Sequence, residues 1–132
     1  MITSLIVCDT IRFNPTERCH HLGKLINETE VTTFPAILEL HILARLSKSE
    51  VNQPYELELQ FLDDKGKIRG LTEKKVVYNH RSAERVPGAD INFIMKGLVV
   101  RGGNYQIRLY INGHASYDYP IHVVITDKKR SG

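Results

Sequence analysis

The segment from residue 102 to residue 125 constrains the fold of this chain more than any other part of it. Between residues 105 and 111, apolar side chains alternate with Gln106, Arg108 and Tyr110. A period of two is typical of a β-strand with one buried face. Asn112-Gly113 follows directly, and this dipeptide is the strongest short-range signal for the turn of a β-hairpin. The segment therefore predicts an antiparallel hairpin.

The register of this hairpin depends on the length of its loop. A plain two-residue loop would place Leu109 opposite Ser116, so that the apolar face of one strand would meet the polar face of the other. One extra loop residue, His114, aligns the two apolar faces. We therefore predict the pairs Ile111–Ala115, Leu109–Tyr117, Ile107–Tyr119 and Tyr105–Ile121. In this register Tyr117 and Tyr119 face the core, and Tyr110 faces outward beside Arg108.

Further strands are predicted earlier in the chain. Residues 36–48 alternate as a long strand, although Ile37, Leu40 and Ala44 also form a helical stripe. We choose the strand because residues 55–61 alternate strictly just after it, and consecutive strands usually pair. Residues 63–66 predict a hairpin loop, and Gly70 predicts a bulge in the return strand. Residues 2–7 predict a central strand, whereas the Cys19-His20-His21 segment is expected to be irregular.

These segments predict the fold class. We expect an all-β protein of two antiparallel sheets, a β-sandwich of the Ig-like or Greek-key type with about seven or eight strands. A partly open β-barrel is the alternative. Residues 1–126 are expected to form a single domain, and residues 127–132 a polar basic tail. Tyr105, which follows a glycine-rich corner, is expected to act like the tyrosine corner of such folds.

Composition excludes several classes of function. The 132 residues include 18 basic and 15 acidic side chains, a balance too even to indicate a nucleic-acid partner. No apolar segment approaches the roughly 20 residues that span a bilayer, so no membrane association is expected. Two cysteines without a signal peptide favour the cytoplasm and reduced thiols.

The chain resembles a known family in several short motifs. These are the run from Leu5 to Asp9, Gly23, Phe34-Pro35, the loop at residues 63–66, Gly103-Asn104-Tyr105 and Asn112-Gly113. They are similar to the DUF6941 family, small bacterial proteins of unknown function, over nearly the whole chain. The resemblance implies a soluble bacterial all-β domain and brings no catalytic residue. Asn112 stands where an acidic residue is expected in that family, and both residue types suit the turn.

No catalytic or metal site is predicted. Cys8, Cys19, His20 and His21 are metal-type ligands without the spacing of a known zinc site, so we expect no metal and no cofactor. No nucleophile motif accompanies any serine. Glu56 and Glu58 lie on one strand face about 7 Å apart at their Cα atoms, a separation that suits a glycosidase pair. Alternating polar residues are also what an exposed sheet face requires, and we prefer that interpretation. We therefore expect no enzyme.

Two binding functions remain. Exposed tyrosine beside arginine is typical of interfaces, so Tyr110 and Arg108 indicate a non-enzymatic module that binds a protein or self-associates. The alternative is a small-ligand or anion sensor that uses the loop arginines Arg81, Arg85 and Arg101.

Overall fold

The protein is all-β. The computed structural model describes residues 2–47, 54–78 and 88–126, and these contain eleven strands and no helix. The strands are β1 (Ile2–Cys8), β2 (Ile11–Asn14), β3 (Cys19–Leu22), β4 (Glu28–Val31), β5 (Ala36–Ser47), β6 (Pro54–Leu62), β7 (Ile68–Leu71), β8 (Lys75–Tyr78), β9 (Gly88–Val99), β10 (Gly103–Ile111) and β11 (His114–Ile125). The count exceeds the predicted seven or eight because the short strands carry too little alternation to be recognised.

The strands form three sheets that do not close into a barrel within the described ranges. One is three-stranded in the order β1-β5-β9, and β2 and β3 form a separate hairpin. The third has six strands in the order β4-β11-β10-β6-β7, and β8 also pairs with β6. All pairs are antiparallel except that of β4 with β11. The strand predicted over residues 36–48 is confirmed as β5, and the helical alternative is wrong.

Two predictions about strand neighbours are wrong. β5 and β6 lie in different sheets, and β1 lies at the edge of its sheet rather than at its centre. β5 pairs along all twelve of its residues with β9, and six of the nine residues of β6 pair with β10. The physical reason for the choice of β5 is the number of backbone groups that its ladder satisfies, because β9 is twelve residues long and β6 only nine.

The C-terminal hairpin confirms most of the predicted register. Tyr105, Ile107 and Leu109 pair with Ile121, Tyr119 and Tyr117, as expected. The predicted Ile111–Ala115 pair is wrong, because Ile111 pairs with His114 across a two-residue turn. Asn112 and Gly113 have φ values of 51° and 81°, as such a turn requires.

The extra residue of this hairpin lies in strand β11, not in the loop. Tyr110 pairs with Ala115 and Leu109 with Tyr117, which leaves Ser116 as a β-bulge. The bulge aligns the apolar faces, as the longer loop would have done. Tyr119 packs against the core, but Tyr117 is 36% exposed, so its predicted core position is wrong.

The core contains side chains from both larger sheets. Leu40, Ile42 and Phe93 come from the three-stranded sheet, and Leu59, Phe61 and Ile107 from the six-stranded sheet. The ring of Phe61 stacks on that of Tyr105, with centroids 5.0 Å apart and planes 10° from parallel. The Tyr105 hydroxyl donates to the carbonyl oxygen of Arg101 at 2.7 Å. The predicted tyrosine-corner contact of Tyr105 is therefore confirmed.

Asp63 organises the loop between β6 and β7. One carboxylate oxygen accepts from the backbone amides of Lys65 at 3.0 Å and Lys67 at 2.9 Å, and the other accepts from Nε of Arg69 at 3.2 Å. These hydrogen bonds, with that from Lys67 the largest, lower the pKa of Asp63. Gly66 has a φ of 78°, as the loop prediction required. The carboxylate itself is buried.

The other expected loops fall partly outside the described residues. Residues 79–87 of the predicted long connection are not described, and residues 88–90 already belong to β9. The predicted tail, residues 127–132, also lies outside the described part of the chain.

Candidate functional site

The outer face of the six-stranded sheet carries the residues singled out from the sequence. In β10, Arg108 and Tyr110 alternate with buried residues and therefore point away from the core. Their antiparallel neighbours on β6 are Gln60 and Glu58. We call the surface formed by Glu56, Glu58, Gln60, Arg108 and Tyr110 the Tyr110 face. Tyr110 is half-buried there, in line with its predicted outward orientation.

Arg108 is held in place by a carboxylate on the neighbouring strand. Its Nε and Nη2 atoms donate to the two carboxylate oxygens of Asp118 at 2.8 and 3.2 Å. Hydrogen bonding raises the pKa of Arg108, with Asp118 as the larger cause and Tyr110 as the second. The charge of Arg108 is therefore already paired within the sheet. Arg108 therefore does not offer a free cation on this face.

A depression of about 230 Å³ lies beside Tyr110. It is lined by Glu56, Glu58, Gln60, Lys74, Tyr110 and Gly113. The ammonium of Lys74 lies 3.7 Å from a carboxylate oxygen of Glu56. Within the described ranges Glu58 has no ion-pair partner, and its carboxylate accepts only a long contact of 3.5 Å from the amide of Gln60. The lining therefore carries an excess of one negative charge.

Of the three loop arginines, Arg101 lies within the described residues. Arg101 forms an ion pair with Asp64, and hydrogen bonding to Asp64 raises the pKa of Arg101. This contact ties the corner after β9 to the loop after β6. Arg81 and Arg85 lie outside the described residues. Of the arginines on which the anion-sensor hypothesis depends, the structure therefore describes Arg101 alone, and its charge is neutralised by Asp64.

The segment expected to be irregular forms the hairpin of β2 and β3. Its two strands pair from Ile11↔Leu22 to Asn14↔Cys19, because residues 15–18 make a tight turn. His20 faces β9, where its ring packs on Phe13 and contacts the side-chain amide of Asn92 at 3.4 Å. Cys19 and His21 alternate with His20 and lie on the opposite, outer face.

The four potential metal ligands named from the sequence do not form one cluster. Cys8 lies in β1, His20 on one face of β3, and Cys19 and His21 on its other face. Cys8 is buried in β1, and burial, followed by the nearby charge of Asp9, raises the pKa of its thiol. Cys8 and Cys19 are both free thiols. Cys19 and His21 instead converge with Glu17 from the turn. Sequence reasoning missed Glu17, although the i, i+2 spacing of Cys19 and His21 predicts a shared strand face.

Comparison with known proteins settles the family. The profile of DUF6941, a family of unknown function, matches residues 3–124. The chain belongs to the DUF6941 family. This confirms the resemblance seen in the sequence. No curated protein matches the chain significantly.

One solved structure that resembles this DUF6941 chain is a glycosyl hydrolase family 2 member from Bacteroides cellulosilyticus. The two share 14% sequence identity with a TM-score of 0.45. The match covers 69% of the DUF6941 chain and 13% of the hydrolase chain.

The paired carboxylates of this DUF6941 chain lie in the depression itself. Glu56 and Glu58 share the outer face, as predicted, and Glu56 is exposed while Glu58 is half-buried. Gln60, Lys74, Tyr110 and Gly113 complete the lining around the two carboxylates.

Within the described residues, no helix has the length and apolar character to cross a membrane.

Proposed function

We propose that this DUF6941 protein is a non-enzymatic protein-binding module whose Tyr110 face receives a basic side chain from a partner protein. The observation that carries the proposal is the depression in which Tyr110 lies beside Glu58, a carboxylate with no ion-pair partner among the described residues. An arginine or lysine of the partner would neutralise that carboxylate. It would also lie against the aromatic ring in a cation–π contact.

The chemistry of the lining favours a cation. Glu56 is already paired with Lys74, whereas Glu58 forms no ion pair in the described part of the chain and can accept a charge-assisted hydrogen bond. Tyr110 is half-buried on the paired strands β6 and β10, which restricts its side chain before the partner arrives. An aromatic anchor that is already ordered loses little conformational entropy on binding. Tyrosine is also among the residues that contribute most to interface energies.

The size of the depression favours one side chain over a small-molecule ligand. Pockets for small molecules usually enclose about 300–1,000 Å³ and cover most of the ligand. The depression at Tyr110 measures about 230 Å³ and is open to solvent on one side. A single arginine or lysine side chain of a partner matches this volume.

The rest of the protein supports this site as a scaffold. We propose that the two larger sheets pack as a β-sandwich, which the shared core of the two sheets supports, and that residues 1–126 form one domain. We further propose that the module works in the bacterial cytoplasm. The free thiols of Cys8 and Cys19 suit a reducing compartment.

A titration followed by NMR tests the proposal directly. The probe is N-acetyl-arginine amide, and the control is the citrulline analogue, which has nearly the same shape but no charge. We expect saturable shifts of the Glu58 and Tyr110 amide signals with the arginine probe and much smaller shifts with citrulline. Equal shifts with both probes, or none at these two residues, would refute the proposal.

Variants of the face extend the test to peptides. Peptides selected by display against the wild-type protein are expected to be enriched in arginine or lysine. Their affinity should fall at least about tenfold for Tyr110→Ala, within the range of interface hot spots, and should also fall for Glu58→Gln. Gln106→Ala, on the same strand and face but outside the depression, is the matched control. A loss of binding in the control as large as in Tyr110→Ala would place the contact elsewhere.

A further inference from the structure

We propose that the β2–β3 hairpin holds a thiophilic divalent cation, with Zn²⁺ the best fit, through Glu17, Cys19 and His21. This site is independent of the Tyr110 face and of the binding function proposed for it. One carboxylate oxygen, one sulfur and one imidazole nitrogen converge on a single point at the tip of the hairpin. Carboxylate, thiolate and imidazole are the three ligand types that Zn²⁺ uses in proteins.

The local sequence explains why these side chains meet. Asn14 accepts hydrogen bonds from the backbone amides of Thr16 at 2.9 Å and Glu17 at 3.1 Å, which closes the turn. Arg18 then adopts a left-handed conformation with a φ of 53°. This reverses the chain so that Glu17, in the turn, lies over the strand face of Cys19.

The distances between the donor atoms match a tetrahedral zinc site. Sγ of Cys19 lies 3.5 Å from Nε2 of His21 and 3.6 Å from Oε2 of Glu17. With Zn–S near 2.3 Å and the zinc bonds to N and O near 2.0–2.2 Å, tetrahedral geometry places sulfur about 3.5–3.6 Å from either atom. The Nε2–Oε2 distance of 3.9 Å exceeds the tetrahedral value of about 3.4 Å, a gap that small rotations of the exposed side chains close.

The same arrangement does not fit a cysteine nucleophile with a histidine base. Such a relay uses both ring nitrogens, one for the nucleophile and the other for the orienting carboxylate. Here the sulfur of Cys19 and the carboxylate of Glu17 both approach Nε2 of His21. Convergence of all three groups on one point is the geometry of a shared cation.

Charge and exposure are also compatible with a metal. A divalent cation bound by one thiolate and one carboxylate forms a neutral unit, so Arg12, which pairs with His21 across the hairpin, repels it little. The side chains of His21 and Glu17 are 60% and 66% exposed, which gives an ion direct access from solvent. Three protein ligands leave the fourth position open to water or to a donor from another molecule.

Metal titration of the full-length, reduced protein tests the site. We expect one Zn²⁺ per chain in competition with a chromophoric chelator, and a thiolate-to-metal charge-transfer band when Co²⁺ is the probe. Cys19→Ser and His21→Ala should each weaken Zn²⁺ binding at least about tenfold, because even loss of a group behind a ligand costs that much. Glu17→Gln should weaken it as well. His114→Ala, an exposed histidine on β11, is the matched control and should bind as the wild type does.

Each result decides the assignment. Circular dichroism establishes that the variants are folded, and all three ligands lie outside the core. Absence of the charge-transfer band in the wild type would overturn the proposal. Wild-type affinity in both Cys19→Ser and His21→Ala would also overturn it, since the bound metal would then lie elsewhere. Loss of the band in Cys19→Ser, with its retention in His114→Ala, would support the site.

Discussion

Gly97 lies where the two larger sheets contact each other, and we predict that Gly97→Ala destabilises the protein. A methyl group added at Gly97 would lie 2.6 Å from Cδ2 and 2.9 Å from Cγ of Phe61. Favourable carbon–carbon contacts are about 3.5–4.0 Å apart. Phe61 is fully buried and stacks on Tyr105, so its ring cannot move away without disturbing a second core residue.

Two opposing effects set the size of the change. Gly97 does not have a positive φ, so alanine fits the backbone and would by itself stabilise the fold by about 0.4–1 kcal/mol. Overpacking a core usually costs about 1–3 kcal/mol. The difference between the two effects spans about 0–2.6 kcal/mol, and we expect the free energy of unfolding to fall by about 1.3 kcal/mol, the centre of that range. At about 3–5 °C per kcal/mol, the Tm should fall by a few degrees.

Urea denaturation followed by circular dichroism measures this change, and a double-mutant cycle assigns its cause. Phe61→Leu removes part of the ring that the new methyl group would meet. The double variant Gly97→Ala/Phe61→Leu should be more stable than the sum of the single effects requires, by about 0.5 kcal/mol or more. A stabilised Gly97→Ala protein, or strict additivity in the cycle, would refute the steric reasoning.

Three further predictions follow from single contacts. Tyr105→Phe removes the hydrogen bond to the Arg101 carbonyl and should lower the free energy of unfolding by about 0.5–1.5 kcal/mol. Urea titration measures this change, and an unchanged midpoint would contradict a stabilising role of that hydrogen bond. The pKa of Asp63 is lower in the folded state than in the unfolded chain, so its contribution is full above the unfolded pKa and is lost as the pH falls through the folded value. Asp63→Asn should therefore flatten the acid side of a stability–pH curve, and a curve of unchanged slope would argue against this role. Iodoacetamide should modify Cys19 first and Cys8 only after denaturation, because burial raises the pKa of the Cys8 thiol. Mass spectrometry of the native protein measures the two rates, and equal rates would contradict this prediction.

Local alternation predicted the buried face of the C-terminal strand, because Ile107 and Leu109 are both buried. For residues 36–48 alternation was not sufficient, since they also form a helical stripe. The strand was chosen there on an expected pairing with residues 55–61, and the strand is confirmed although that pairing is wrong. Turn chemistry was equally local. Asn112-Gly113 and the Asp63 loop have the positive φ values that their sequences indicate. These features depend on a few neighbouring residues, so one sequence contains the information for them.

Strand partners could not be predicted in this way. β5 pairs with β1 and β9, not with β6, because ladder length and the packing of the whole core decide which strands meet. The bulge at Ser116 aligns the apolar faces of β10 and β11, which a three-residue loop was expected to do. Because a bulge and a longer loop give the same alignment, the sequence pattern does not distinguish between them.

The sequence by itself determined that this DUF6941 chain is all-β, where its principal turns lie and which side of its long strands faces inward. Only the tertiary structure decided which polar side chains share a surface. Glu58 lies beside Tyr110 because β6 pairs with β10, and Glu17 meets Cys19 because the β2–β3 turn folds back over its strand. The physical reason is that burial follows a local period of two, whereas a site depends on contacts between residues that the chain must bring together.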